Sequence, residues 1–390
     1  MIKIMEEWTL EDAIKLLDRF GYPAYIYEEQ EILRRIRLLK YIFDGFDIFY
    51  SLKANPNKKI VSFMAQNGLG ADCASPYEVL LAKECGISSG NILYSSPGKT
   101  EMDIEIAAED SLIVADSLGE LQRMDMYFNK KTNIGVRINP SKGVSSEKAF
   151  EVMGGESSKF GIDEELFFSK KSNIEKLKNI NIIGIHVYIG SGILDEEVIL
   201  GNFENIFRIA SRADKKFDFI DFGGGLGIPY EEGQRELDVE ILKKGIQKIR
   251  EKFKMDKTRL IVESGRYLTA TCGRFLTRIT DIKESAGKKY YIIYGGMNGF
   301  FRPAFTGTRH KVKVHNNSDK KEKITVAGHL CTPIDITASE VQVNKACVGD
   351  IIEICDAGAY GYTMSLKEFI SHRQPVEIYI DQKGNAEKCS

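Results

Sequence analysis

Eight short apolar runs, at residues 48–52, 70–73, 92–94, 112–115, 134–138, 182–187, 217–222 and 260–262, alternate with amphipathic helical stretches such as 58–64 and 77–83. Strands that are apolar on both faces and separated by helices pair in parallel, and eight such units fit a closed (β/α)8 barrel of the TIM type. An open doubly wound sheet is the other reading, though it usually has fewer strands and places its glycine loop elsewhere. Upstream, the sequence predicts a helix over 8–20, a turn at Gly21-Tyr22-Pro23, a short strand over 24–27 and a charged helix from Glu28. After residue 266 the pattern changes. Strand-like runs at 290–294, 323–326, 351–354 and 376–380 follow one another with turn residues in place of long helices, which predicts a mainly antiparallel β domain. The expected division is a barrel over 28–265 and a β domain built from 1–27 and 266–390. The polar stretch 311–323, with Asn316-Asn317-Ser318-Asp319-Lys320-Lys321 at its middle, reads as a hairpin tip without site chemistry.

Lys+Arg number 54 against 56 Asp+Glu, a formal net charge of -2, so nothing electrostatic favours nucleic acid or an anionic membrane as the main partner. Seven cysteines, with no C-x-x-C pair, argue for free thiols and no zinc site. The first residues, Met1 to Glu7, lack an apolar signal region, and no run reaches membrane-spanning length; the expectation is a soluble cytoplasmic protein with no metal.

A barrel of this kind builds its active site at the carboxyl ends of its strands. Those ends carry Lys53, Asp72, Arg137 and Asn139, His186 and Tyr188, Gly223-Gly224-Gly225, and Glu263 with Arg266. Lys53 ends the first strand just before the Asn55-Pro56 break, where desolvation would make its amine a Schiff-base nucleophile; an ordinary solvated lysine is the plainer reading. Gly223-Gly224-Gly225-Leu226-Gly227 follows the seventh strand, where barrels bind phosphate through bare amides, although a glycine run is equally a turn. Glu263 and Arg266 could simply pair as a salt bridge. A carboxylate facing a heterocyclic nitrogen would instead keep it protonated and make the ring an electron sink. Together these groups outline pyridoxal 5'-phosphate. A nucleotide P-loop at Gly98-Lys99-Thr100 is excluded, because Leu93 stands where the motif needs glycine.

Ten ordered stretches carry a resemblance: F-Y-S-L-K-A-N-P-N (49–57), A-D-C-A-S (71–75), V-R-I-N-P (136–140), S-K-F-G-I (158–162), G-I-H-V-Y-I-G-S-G (184–192), D-F-G-G-G-L-G (221–227), E-S-G-R (263–266), M-N-G-F-F-R-P (297–303), G-H-L-C (328–331) and D-A-G-A-Y-G (356–361). By these the chain resembles the fold-type III pyridoxal-phosphate decarboxylases, the diaminopimelate, ornithine and arginine decarboxylase family, whose architecture is alanine racemase-like. The resemblance implies that Lys53 bonds the cofactor and Glu263 meets its ring nitrogen. It places Asp72 in the cofactor site, Ser191, Gly224, Gly225, Arg266 and Tyr360 around the phosphate, and Arg302 at a substrate carboxylate. Cys331 would be the acid that returns a proton to Cα, offered from the neighbouring subunit of a homodimer with shared active sites. Cys73, Cys85, Cys272, Cys347 and Cys355 read as core, and His186 as packing within its strand.

Departures from the family narrow the substrate. Tyr188 stands where a histidine usually stacks on the cofactor; an aromatic still stacks but does not titrate there. Diaminopimelate decarboxylases read C-E-S-G-D where this chain reads Cys331-Thr332-Pro333-Ile334-Asp335, so the glutamate for a distal ammonium is absent. Thr306 replaces a substrate-contacting tyrosine. A site without partners for a buried ammonium rejects it. Thr306, Thr332 and Asp335 are accordingly candidate substrate contacts, Asp335 reading equally as a turn cap. These features resemble the subgroup found in secondary-metabolite and polysaccharide clusters, which includes the decarboxylase of carrier-protein-bound glutamate in butirosin biosynthesis. The expected activity is decarboxylation of an amino acid, free or presented on an acyl carrier protein. Diaminopimelate decarboxylation is the alternative and amino-acid racemisation a weaker one, since racemases of the related type pair the ring nitrogen with arginine.

Overall fold

The structure, a computed structural model, describes residues 9–141, 151–152, 157–188, 190–213, 215–255 and 257–389. Trp8, the expected first residue of the opening helix, and Ile189 of the matched 184–192 stretch lie outside them. The chain forms two compact units: a barrel unit of Ile36–Ile228 and Arg235–Tyr267, and a β unit of Met1–Arg35, Pro229–Gln234 and Leu268–Ser390.

In the barrel unit all eight predicted strands form: β1 (Asp47–Ser51), β2 (Gly70–Cys73), β3 (Ile92–Ser95), β4 (Leu112–Ala115), β5 (Thr132–Asn139), β6 (Ile180–His186), β7 (Phe219–Asp221) and β8 (Arg259–Ser264). Each pairs in parallel with the next, and β8 closes on β1. Side chains fill the interior, with Phe49, Leu93, Val114, Phe219 and Ile261 buried against one another. Glycine makes room for the largest of them. A Cβ on Gly184 would lie 2.2 Å from the Phe219 ring, so any other residue there would expel the ring that plugs the barrel. The helices start promptly because the strand-to-helix turns end in capping residues. Asn57, Ser75, Thr100, Ser117, Asp195 and Asp238 each accept a hydrogen bond from the first turn of the helix that follows. Short, capped turns hold the strand ends where side chains can converge.

The β unit is mainly antiparallel, as expected, but it also contains parallel pairs. Ala24–Glu28 runs parallel to Val376–Ile380 and antiparallel to the 13-residue strand Gly273–Ser285. Its core joins Ala13 and Leu17 of the first helix to Ile26, Leu276, Ile351 and Ile378. The predicted 311–323 hairpin does not form as such. Val312–His315 pairs with Ile351–Ile354, whereas Lys321–Gly328 pairs with Lys288–Ile293 and Ile336–Asn344. The polar stretch therefore joins strands that are not partners.

Candidate active site

Lys53 leaves β1 in a single turn, Leu52–Ala54, fixed by the Tyr50 hydroxyl donating to the Asn55 carbonyl at 2.7 Å. Its Nζ donates to Asp72 Oδ2 on β2 at 3.0 Å. Burial, then the Glu263 charge, push the Asp72 carboxyl above its ordinary range, with Lys53 opposing. The Tyr188 ring lies 5.6 Å from Lys53 Nζ and 5.8 Å from the Arg137 guanidinium, forming an aromatic platform flanked by two cations. Arg137 also covers the Phe160 ring at 4.6 Å. Behind it lies a buried array that the sequence reading missed. Lys99 Nζ sits 3.0 Å from Glu120 Oε1, Glu120 Oε2 accepts the Asp116 amide at 2.7 Å, and Asp116 Oδ1 is 3.8 Å from Arg137. Burial lowers the Lys99 ammonium against the pull of Glu120.

The glycine run after β7 is tied to the segment after β6. Ile193 donates to the Gly225 carbonyl and Gly227 to the Ile193 carbonyl, both at 2.9 Å. Gly225 has φ +121°, and a Cβ there would lie 2.6 Å from the Gly190 carbonyl oxygen, so a bare backbone is obligatory. Ser191, buried beside this cradle, accepts from Arg266 Nη2 at 3.1 Å.

Glu263 ends β8 buried. Burial pushes its carboxyl up, but His186, followed by Lys53 and Arg137, outweighs that and holds it low, at about 2. His186 Nε2 lies 3.3 Å from Glu263 Oε1 without hydrogen-bond geometry, and its Nδ1 is 3.3 Å from Ser95 Oγ. His186, read as packing within its strand, is buried there and also stands beside Glu263. A histidine in an apolar strand gives no local sign that its partner lies on a strand 77 residues away.

Four other predicted positions lie around Arg302 and Cys331 in the β unit. Arg302, 1% exposed, donates to the Tyr230 hydroxyl at 2.8 Å and lies 6.0 Å from the Tyr360 ring. Tyr360 and Asp356 both hold positive φ, +61° and +56°, at the two ends of one tight loop. Thr306 turns back on its own helix, donating to the Arg302 carbonyl at 2.8 Å. Cys331 is an exposed thiol and Thr332 is half-buried. Asp335 takes the turn-cap role. Its Oδ1 accepts the Met297 amide at 2.6 Å and its Oδ2 the Leu330 amide at 2.9 Å, so it clamps the turn from inside and offers no carboxylate to a substrate. Cys347, expected in the core, is exposed, while Cys85 and Cys355 are half-buried.

The family described as pyridoxal-dependent decarboxylase, pyridoxal binding domain, matches residues 29–270. The chain is 32% identical to the diaminopimelate decarboxylase of Methanothermobacter thermautotrophicus, over 95% of this chain and 89% of that one. The chain belongs to the pyridoxal-dependent decarboxylases. It is also 32% identical to the L-glutamyl-[BtrI acyl-carrier protein] decarboxylase of Niallia circulans, over 93% of this chain and 90% of that protein. The solved diaminopimelate decarboxylase of M. jannaschii, in complex with L-lysine, superposes with a TM-score of 0.88 at 28% identity, covering 97% of this chain and 91% of that one.

As a fold-type III decarboxylase the chain uses pyridoxal 5'-phosphate, and the barrel residues fit it. An amine, a cradle that only glycine can line, a serine–arginine pair and a buried anionic carboxylate are the complements of an aldehyde, a phosphate and a ring nitrogen. Among the described residues no helix is long and apolar enough to cross a membrane.

Proposed function

We propose that this decarboxylase is a biosynthetic enzyme acting on an α-amino acid without a distal ammonium, such as a glutamyl group carried on an acyl carrier protein. One observation carries the reading. By the resemblance Thr332 stands where diaminopimelate decarboxylases carry an acid, and Asp335, three residues on, has both oxygens accepting backbone amides. An incoming ammonium would go unpaired there. The relative named for L-glutamyl carrier-protein decarboxylation supports the reading, and those named diaminopimelate decarboxylase support the alternative.

In this reading Lys53 binds the cofactor and Asp72 takes the proton its ammonium gives up. Tyr188 packs against the ring, and Ser191, Gly224, Gly225, Arg266 and Tyr360 hold the phosphate. Glu263 keeps a proton on the ring nitrogen. The bound cofactor supplies the electron sink that lets the α-carboxylate leave as carbon dioxide. Arg302 orients a substrate carboxylate, and the Cys331 thiol, offered by the second subunit of a homodimer, returns a proton to Cα. The test is carbon dioxide release by the cofactor-loaded protein, with Lys53→Ala as control. The substrates are free diaminopimelate, lysine, ornithine, arginine and glutamate, and glutamate thioesterified to a carrier protein. Release from the thioester alone supports the reading; release from diaminopimelate replaces it with the alternative.

A further inference from the structure

Beneath the ring-nitrogen carboxylate lies a group of atoms that the proposed roles leave unused. Asp221 ends β7 with no exposed surface. Its Oδ1 accepts the Gly223 amide at 2.9 Å, which fixes the first turn of the glycine cradle. Its Oδ2, Glu263 Oε1 and His186 Nε2 are all buried and make no hydrogen bond among the described residues, and one ligand-capable atom from each of these side chains lies within 4.8 Å of the others. Two carboxylates so close and so fully buried do not both stay ionised; one keeps a proton. His186 first, then Lys53 and Arg137, favour the charged form of Glu263, and so it is the one that ionises.

We infer that Asp221 carries that proton and donates it to Glu263, and that Asp221 and His186 are positioning residues holding the carboxylate for the ring nitrogen. Ser95 Oγ lies against His186 Nδ1, and a hydroxyl donating there leaves the ring hydrogen on Nε2, 3.3 Å from Glu263 Oε1, where a small ring rotation makes the bond. The carboxylate would then have a donor on either side of its inner oxygen, leaving its charge directed at the cofactor. Burial and the nearby Glu263 charge both favour the neutral form of Asp221, as does Asp72 on β2. The groups facing Asp221 are thus Glu263 from β8, His186 from β6 and Asp72 from β2, with the Gly223 amide opposing.

The inference rests on Glu263 as the ring-nitrogen partner, and the test separates the two. Apoprotein is titrated with pyridoxal 5'-phosphate, followed by visible absorbance, from mildly acidic to alkaline pH. Asp221→Asn keeps an Oδ1 acceptor for Gly223 and a permanent Nδ2 donor for Glu263, so its affinity stays within about threefold of the parent at neutral pH. The parent weakens at the alkaline end, as the second carboxylate ionises, and the Asn variant does not. Asp221→Leu, which removes the donor, weakens cofactor binding by about 10-fold or more. An Asn variant as weak as Leu, or parent and Asn profiles that coincide at alkaline pH, overturns the inference. Without cofactor, infrared difference spectra between the parent and Asp221→Asn show the carbonyl band of a protonated carboxyl; its absence also overturns it. Thermal melting of each apoprotein identifies any variant that fails to fold, and for such a variant the infrared band of the parent decides. If Glu263→Gln leaves cofactor affinity and spectrum unchanged, the ring-nitrogen reading falls while the infrared band still decides the Asp221–Glu263 pair.

Discussion

The β unit and the barrel unit each bury a cluster of carboxylates and cations, and the two clusters are bonded differently. In the β unit both oxygens of each central acid are occupied. Glu353 Oε1 accepts from Arg274 at 3.1 Å and its Oε2 meets His315 Nε2 at 2.6 Å. Glu31 Oε1 accepts from Arg34, Arg35 and Thr271, and its Oε2 from Arg34. In the barrel, one atom each of Glu263, His186 and Asp221 converge with no hydrogen bond among the described residues. A buried polar group left unsatisfied costs stability, whereas a satisfied network rigidifies the fold. Burial and charge alone do not separate the two clusters, since Glu353 and Glu263 are both held at about 2. The difference lies in their bonding, and the cluster with open atoms is the one proposed to serve the cofactor.

Removing Lys53 should have the largest effect on activity. Lys53→Ala is expected to lower carbon dioxide release on the order of 10³-fold or more and to abolish the visible band of the bound cofactor, with melting nearly unchanged. A large drop in melting temperature instead would place Lys53 with the structural cluster.

Glu353→Ala should do the reverse. Breaking this buried cluster takes the carboxylate from His315, leaves Arg274 with Glu28, and costs about 3 kcal/mol of stability, read by denaturant unfolding, while the folded fraction keeps its activity. Its pH dependence follows. Burial pushes the Glu353 carboxyl up, but the His315 hydrogen bond and the Arg274 charge outweigh it and hold it at about 2, against 4.5 ordinarily. A depressed folded value means that the stabilisation is fully present above about 4.5 and is lost as pH falls toward about 2, some 3 kcal/mol in all. In Glu353→Gln this acid-induced loss should be smaller by that amount; an unchanged acid transition would count against the bonding described here.

Asp335→Ala should lie between these extremes. It leaves the Met297 and Leu330 amides without their acceptor and costs about 3 kcal/mol. If it left melting untouched and shifted substrate preference, Asp335 would return to the list of substrate contacts.

These contrasts follow what a linear sequence can and cannot encode. The barrel was legible because parallel strands are continuous apolar runs, and Lys53, Asp72, Glu263 and the glycine cradle stand at their ends. The partners of those residues were not. Glu120 meets Lys99 across adjacent strand–helix units, and His186 meets Glu263 across the intervening β7, contacts that only the folded sheet creates. The β unit was harder for the same reason. Asp335 reads locally as a loop residue, yet its acceptor role depends on Met297, 38 residues upstream. The positive φ of Asp356 and Tyr360 is also unsigned, since neither is glycine and the surrounding fold must impose it. The strands flanking 311–323 looked like a hairpin because periodicity reveals that a strand exists without naming its partner.

The smallest expected effect bears on the substrate. Thr332→Glu restores, beside the exposed Cys331, the carboxylate that the family uses for a distal ammonium, and the clamped Asp335 leaves the loop free of competing acid. One new ion pair at a partly exposed position is worth about 1 kcal/mol, so kcat/KM for diaminopimelate relative to a glutamyl thioester should rise by about 5- to 10-fold. The gain should fall as salt is raised, because a half-buried pair remains open to screening. A ratio that stays constant, with carbon dioxide release intact, would mean that the distal end of the substrate lies away from this loop. Its selection would then rest on the Arg302 side of the β unit, where Tyr230 and Thr308 already engage the guanidinium.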